Sequence, residues 1–169
     1  MRHAAIAFIA LMLCACKAPA PPAPPADSEA FHQADLAAVR AFVDHVGETF
    51  NSGNLDTFMA VFTEDAIQFN QGYPDVIGKA AIRKQYEEAL AQNDIKVAFH
   101  TREVQVSGDL AYEGGTYDII IQPRSDPKAL PLTVTNRHVH VLKRQPDGSW
   151  KTWRMMTNNT IPAAAPKQD

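Results

Sequence analysis

Residues 50–70 read FNSGNLDTFMAVFTEDAIQFN, and the changes of pattern inside this stretch set the architecture. Upstream of it, Leu36, Val39, Phe42, Val43, Val46 and Phe50 recur at steps of three and four, which marks an amphipathic helix of about six turns. Asn51-Ser52-Gly53-Asn54 ends that helix, with Gly53 as its C-terminal cap. Leu55, Phe58, Met59 and Phe62 keep helical spacing and predict a second, shorter helix, closed by Glu64-Asp65. Ala66 to Asn70 then alternates like a short strand before the turn Gln71-Gly72-Tyr73-Pro74.

Working outward toward the C-terminus, a third helix follows Gly78, with Ala81, Ile82, Tyr86, Ala89 and Leu90 on its inward side. After Asn93 the period falls to two. Ile95, Val97 and Phe99 share one face, and Val104 and Val106 follow with shifted parity, so a bulge is expected between Thr101 and Glu103. Ser107-Gly108-Asp109 turns the chain into a strand through Ile121. Residues 131–144 form the next strand, Gln145 to Ser149 a hairpin loop, and Trp150 to Thr160 the last strand. Three helices followed by a four-stranded antiparallel meander make an α+β domain, with the helices on one concave face of the sheet.

Outside this domain the chain reads differently. Residues 1–15 carry Arg2, an apolar run from Ala4 to Leu13 and then small residues, the pattern of a secretory signal peptide. The run is shorter than the roughly 20 residues a spanning helix needs. Leu13, Cys14 and Ala15 before Cys16 resemble the lipobox of bacterial lipoproteins, so lipidation is expected at Cys16; ordinary secretion with both cysteines kept as thiols is the rival. Residues 16–26 follow as the lipidated cysteine and a proline-rich tether, which extends about 3.1 Å per residue. Residues 27–161 are the domain and 162–169 a disordered tail. These signals place the protein in the bacterial cell envelope, on the periplasmic side of the outer membrane in a Gram-negative host, with the membrane as a partner through the anchor.

The domain has about 135 residues, which suits one core and leaves no room for a second. The formal charge is −3, and no basic stripe points to a nucleic-acid partner.

Four phrases in order carry a family resemblance: FNSGNLDTFMAVFTEDAIQFN, IGKAAIRKQYE, VSGDLAYEGGTYDI and RQPDGSWKTWRMMTNN. Across residues 31–160 the chain resembles the SnoaL-like, ketosteroid-isomerase-homologue branch of the nuclear transport factor 2-like superfamily. The resemblance implies a cone of three N-terminal helices packed on a curved antiparallel sheet. It also implies where an isomerase would keep its base, tyrosine and protonated aspartic acid. Those positions fall at Asn70, near Val46 and near His140. All three groups are replaced, and isomerisation of that kind is not expected.

His138 and His140, two apart on one strand, share a face with Asn136. If that face lines the cone, a neutral imidazole with a pKa near its ordinary value of about 6.5 can act as a base. The bland alternative is a pair of hydrogen-bonded or rim histidines. Two histidines can also share a metal ion, but a site needs a third protein ligand, and His100, the one other histidine expected in the sheet, has its face left open by the bulge; no metal or cofactor is expected. On the preceding strand Tyr112, Thr116 and Asp118 share one face and Tyr117, Ile119 and Ile121 the other. The resemblance puts the even-numbered residues inside, whereas apolar periodicity buries the odd ones.

The candidate catalytic residues are therefore His140, His138 and Asp118. The candidate pocket residues are Asn70, Tyr86, Tyr112, Asn136 and Trp153, although Trp150, Trp153, Met155 and Met156 equally suit a core or an interface. Three readings follow: a module that binds a small, largely apolar molecule in the cone; an enzyme with acid/base chemistry through the histidines; or an association domain with a vestigial pocket. A homodimer is expected through the open sheet face, where Val139, Val141, Tyr117, Ile119 and Ile121 would form an apolar patch.

Overall fold

The computed structural model describes residues 26–160; the signal peptide, Cys16, most of the tether and the tail lie outside the described residues. Helix α1 (Ala26–Asn51) buries Val39, Val43, Val46 and Phe50, the stripe its spacing predicts. It stops at Gly53, whose φ of 76° is the left-handed conformation a glycine adopts without a Cβ clash. Asn51 then ties the helix end to the sheet: its amide donates to Val97 O at 2.7 Å and its Oδ1 accepts from Val97 N at 2.9 Å. Asn54 caps α2 (Leu55–Met59) by accepting from Thr57 N at 3.1 Å.

Helix α2 is shorter than its spacing suggests, and Glu64 and Asp65 do not close it. They lie inside strand β1 (Phe62–Asn70). Apolar residues four apart suit either state over so short a span, and long-range pairing decides between them: Thr152 N donates to Val61 O at 2.8 Å and draws the segment into the sheet. After β2 (Val76–Ile77) and α3 (Lys79–Gln92), the strands β3 (Asn93–Ser107), β4 (Leu110–Pro123), β5 (Leu132–Arg144) and β6 (Trp150–Asn159) form the expected meander. The sheet order is β2-β1-β6-β5-β4-β3, so the meander is extended to six strands by β1, which runs parallel to β6, and by β2. The predicted bulge falls between Thr101 and Glu103.

The helices cover one face of this curved sheet. Val46, Phe50, Phe58, Met59, Phe62 and Ile82 make one apolar cluster, and Val39, Val104, Ala111, Leu142 and Trp150 a second, with Phe42 packed against both. On β4 the inward residues are odd-numbered and on β5 they are even-numbered, because Glu113 pairs with His140 and Tyr117 with Asn136. Apolar periodicity is therefore the correct guide to β4. It follows that Tyr117 and Ile119 face the helices, and the apolar patch expected on the open face cannot contain them beside Val139 and Val141.

Candidate functional site

Pairing of β4 with β5 brings a carboxylate into the middle of the inward face. Glu113 lies opposite His140, and His138 opposite Gly115 one step along. All three side chains are 0–1% exposed. His138 Nε2 sits 2.9 Å from Glu113 Oε2 and 3.1 Å from Oε1, and Thr101 Oγ1, at the bulge of β3, donates to Oε1 at 2.8 Å. His140 Nδ1 lies 3.3 Å from Oε2 but off the hydrogen-bonding direction, so both ring nitrogens of His140, and Nδ1 of His138, have no hydrogen-bond partner. Phe99 closes the cluster edge-on, its ring 5.1 Å from that of His138 and 5.7 Å from that of His140.

The electrostatics follow from this geometry. Burial alone pushes the Glu113 carboxyl up, but the side-chain contacts of His138 and His140 outweigh it and hold Glu113 at about 2. Burial pushes His140 down from its ordinary value, and Glu113 offsets only part of that. The cluster thus holds a buried carboxylate beside a histidine that favours its neutral form.

His140 also lines a cavity of about 210 Å³ between the sheet and the helices. Its walls are apolar, with Phe50, Phe58, Ile95, Val97 and Ile119 among them. Polar atoms reach it at few places. Gln68 donates to Tyr86 Oη at 3.2 Å, and burial pushes the Tyr86 phenol up to about 12, so it stays protonated. Gln68 Oε1 and Asn70 Nδ2 are buried without partners. Asn70, Gln85 and Thr157 border both this cavity and an adjoining depression with Gln71, Tyr73 and Asn159, which makes that side the polar mouth.

Of the residues singled out by sequence, His140, Asn70 and Tyr86 line the cavity, and Val46 does too, so all three positions carried over from the isomerase pattern meet at one site. His138 and Asn136 are buried on the same face behind it; Asn136 donates to Tyr117 Oη at 3.2 Å. Asp118, Tyr112 and Trp153 are corrections, because each points to the opposite face. Asp118 accepts from Thr135 and lies 2.9 Å from His100 Nε2. Tyr112 donates to Glu103 at 2.7 Å. Trp153 donates to Asp65 at 2.9 Å and is stacked between Lys143 and Arg154, 3.8 and 3.9 Å from its ring centre. Glu113 was missed. Its signal was phase: it falls in step with Tyr117, Ile119 and Ile121, a charged residue on the strand's apolar face. It also adds a third donor to the histidine pair, since one donor atom from each of Glu113, His138 and His140 lies within 4.8 Å of the others.

Comparison with known proteins agrees with this architecture. A ketosteroid isomerase-like protein from Erwinia carotovora atroseptica is 22% identical, with a TM-score of 0.67 over 76% of this chain and 98% of that one. A conserved protein from Planctomyces limnophilus is 18% identical, with a TM-score of 0.68 over 75% and 98%. A nuclear transport factor 2-like protein with a cystatin-like fold from Novosphingobium aromaticivorans is 17% identical, with a TM-score of 0.66 over 82% and 90%. No curated protein matches. The family model of the SnoaL-like domain matches residues 39–153, and with the cone, its cavity and the carried-over positions in place, the chain belongs to the SnoaL-like domain family.

Proposed function

We propose that the cone binds a small molecule with an apolar body and one polar end. The observation that carries this is the cavity itself: apolar walls with a few unspent polar atoms, His140 Nε2, Gln68 Oε1 and Asn70 Nδ2, at fixed places. That is the common make-up of a small-molecule site. Its size favours one or two rings, given that an apolar cavity of about 150 Å³ accommodates benzene. 2-Naphthol, a fluorescent phenol of that size, tests the reading. Its emission should change saturably on titration with the protein, and Ala89→Phe, which fills the cavity, should abolish the change. Absence of saturation with 2-naphthol, indole and benzoate alike, or binding that survives Ala89→Phe, would refute it.

A second reading, acid/base catalysis, is favoured by one observation: a buried carboxylate stands beside His140 Nδ1 while the ring borders the cavity. In that role Glu113 orients the imidazole and His140 exchanges a proton with the bound molecule. The family's isomerase set is absent here, so the chemistry would be this histidine's own. His140→Ala would then remove turnover of a bound substrate while leaving 2-naphthol bound.

We further infer that Cys16 is acylated and holds the domain at a membrane surface, and that two copies pair through the outer face of the sheet. Val139 and Val141 on β5, with Met156 exposed opposite Val139 on β6, support the pairing. Cys16→Ser should release the protein from the membrane fraction. Light scattering should give twice the chain mass, and a monomer at tens of micromolar would exclude the pairing.

A further inference from the structure

We propose that Glu113, His138 and His140 form a binding site for a divalent first-row transition ion, zinc in the first instance, behind the cavity wall that His140 contributes. The donor set is two imidazoles and one carboxylate, which is the composition of open zinc sites and of facial sites for other first-row ions. Magnesium and calcium are disfavoured, because they take oxygen donors almost exclusively.

Strand register places the donors before any ion arrives. His138 and His140 project from one face of β5, and Glu113 stands opposite His140 on β4. Ligands about 2.0–2.2 Å from a shared ion stand about 3–3.5 Å from one another; the contacts here are 2.9 Å from His138 Nε2 and 3.3 Å from His140 Nδ1 to the same oxygen, Oε2. An ion held by His140 Nδ1 and Oε2 would lie off the line joining them. A nitrogen lone pair aimed at such an ion would miss the oxygen, in keeping with an Nδ1 that comes close without making a hydrogen bond.

The polar accounting points the same way. The side chains of the cluster are 0–1% exposed, yet three of its four ring nitrogens have no partner. Buried polar groups in native proteins are almost always satisfied, and an exception calls for a bound water or ion. A cation would turn His140 Nδ1 from an orphan into a ligand and would neutralise a carboxylate buried among aromatic rings. Thr101, donating to Oε1 at 2.8 Å, would orient that carboxylate from behind. With three protein ligands at least one coordination position stays open. Of the three ligands His140 alone also borders the cavity, so the ion would stand behind the wall that its ring forms. The metal site does not depend on the cavity's occupant being apolar.

The experiment is a titration of chelator-treated protein with Zn²⁺ by calorimetry and with Co²⁺ by visible absorption. Wild type should take up one equivalent of Zn²⁺, and Co²⁺ should develop ligand-field bands distinct from those of the hydrated ion. Glu113→Gln and His140→Ala should each weaken binding by at least about 100-fold, while His100→Ala, on the outer face, should leave it unchanged. Should a variant fail to fold, long-range ¹H–¹⁵N spectra of wild type decide: Zn²⁺ must shift the ring nitrogens of His138 and His140. No stoichiometric uptake, uptake that survives both substitutions, or shifts confined to other histidines would each overturn the site.

Discussion

On each face of strand β4 a carboxylate meets a histidine and a threonine hydroxyl from the neighbouring strands. Inside, Glu113 meets His138 and the Thr101 hydroxyl; outside, five residues on, Asp118 meets His100 and the Thr135 hydroxyl. The inner pair is 0% exposed and the outer pair 54% and 39%. Water makes the difference. On the outer face it solvates either partner when the other leaves, and salt screens what attraction remains. On the inner face nothing replaces a lost partner, so each removal strands a desolvated group. Identical side-chain chemistry is thus peripheral on one face and structural on the other, and candidate sites are told apart by burial rather than by residue type.

Substitutions can break or sharpen that contrast. Removing the inner carboxylate should have the largest effect: Glu113→Ala strands both histidines and Thr101 and should cost about 3–5 kcal/mol, read from urea unfolding followed by circular dichroism. Gly115→Ala comes next, because an added Cβ would run into the backbone carbonyl of His100 across the strand pair. Pushing β3 away also draws Thr101 from Glu113, and a loss of about 3 kcal/mol is expected, seen as a lower midpoint with unchanged slope. Thr101→Val removes only the hydroxyl that donates to the carboxylate and should cost about 1.5 kcal/mol, measured the same way. Smallest of all is the outer face, where Asp118→Asn should leave the unfolding midpoint unmoved in 0.5 M salt, a concentration at which the Debye length is only about 4 Å. A midpoint that dropped as far as for Thr101→Val would show that the two faces are not distinguished by solvent.

That same contrast marks how far the sequence could be read. Helix α1, the Gly53 cap, helix α3, the bulge at Thr101 to Glu103 and the strands of the meander follow from local periodicity, and all are found. The segment around Glu64 was not legible, because its state is set by Thr152 from the far end of the chain. Strand parity was half legible. On β4 Tyr117, Ile119 and Ile121 do keep the inward phase, but on β5 the apolar Val139 and Val141 face outward while Asn136, His138 and His140 are buried. A single rule for both strands must fail on one of them. It fails where polar residues are buried together, since a polar group satisfied by another has no reason to follow hydropathy. Glu113 could be recognised only with its partners, and those partners lie 25 and 27 positions away on the next strand.

The place of β6 has a consequence for how the chain comes to be folded at all. The last of the described strands stands between β1 and β5, so Asn70 meets Thr157 across 87 residues. Until Trp150–Asn159 leave the ribosome, β1 has only the two-residue β2 beside it, and the β3–β5 hairpins present a bare edge. Bare edges are templates for pairing with other chains, and contacts so distant in sequence form slowly. Synthesis from the N-terminus therefore cannot yield a partly finished cone: the sheet is completed by its final strand or not at all. A stop codon shortly before Trp150 would leave two fragments of sheet with no strand to join them, rather than a domain with a trimmed edge.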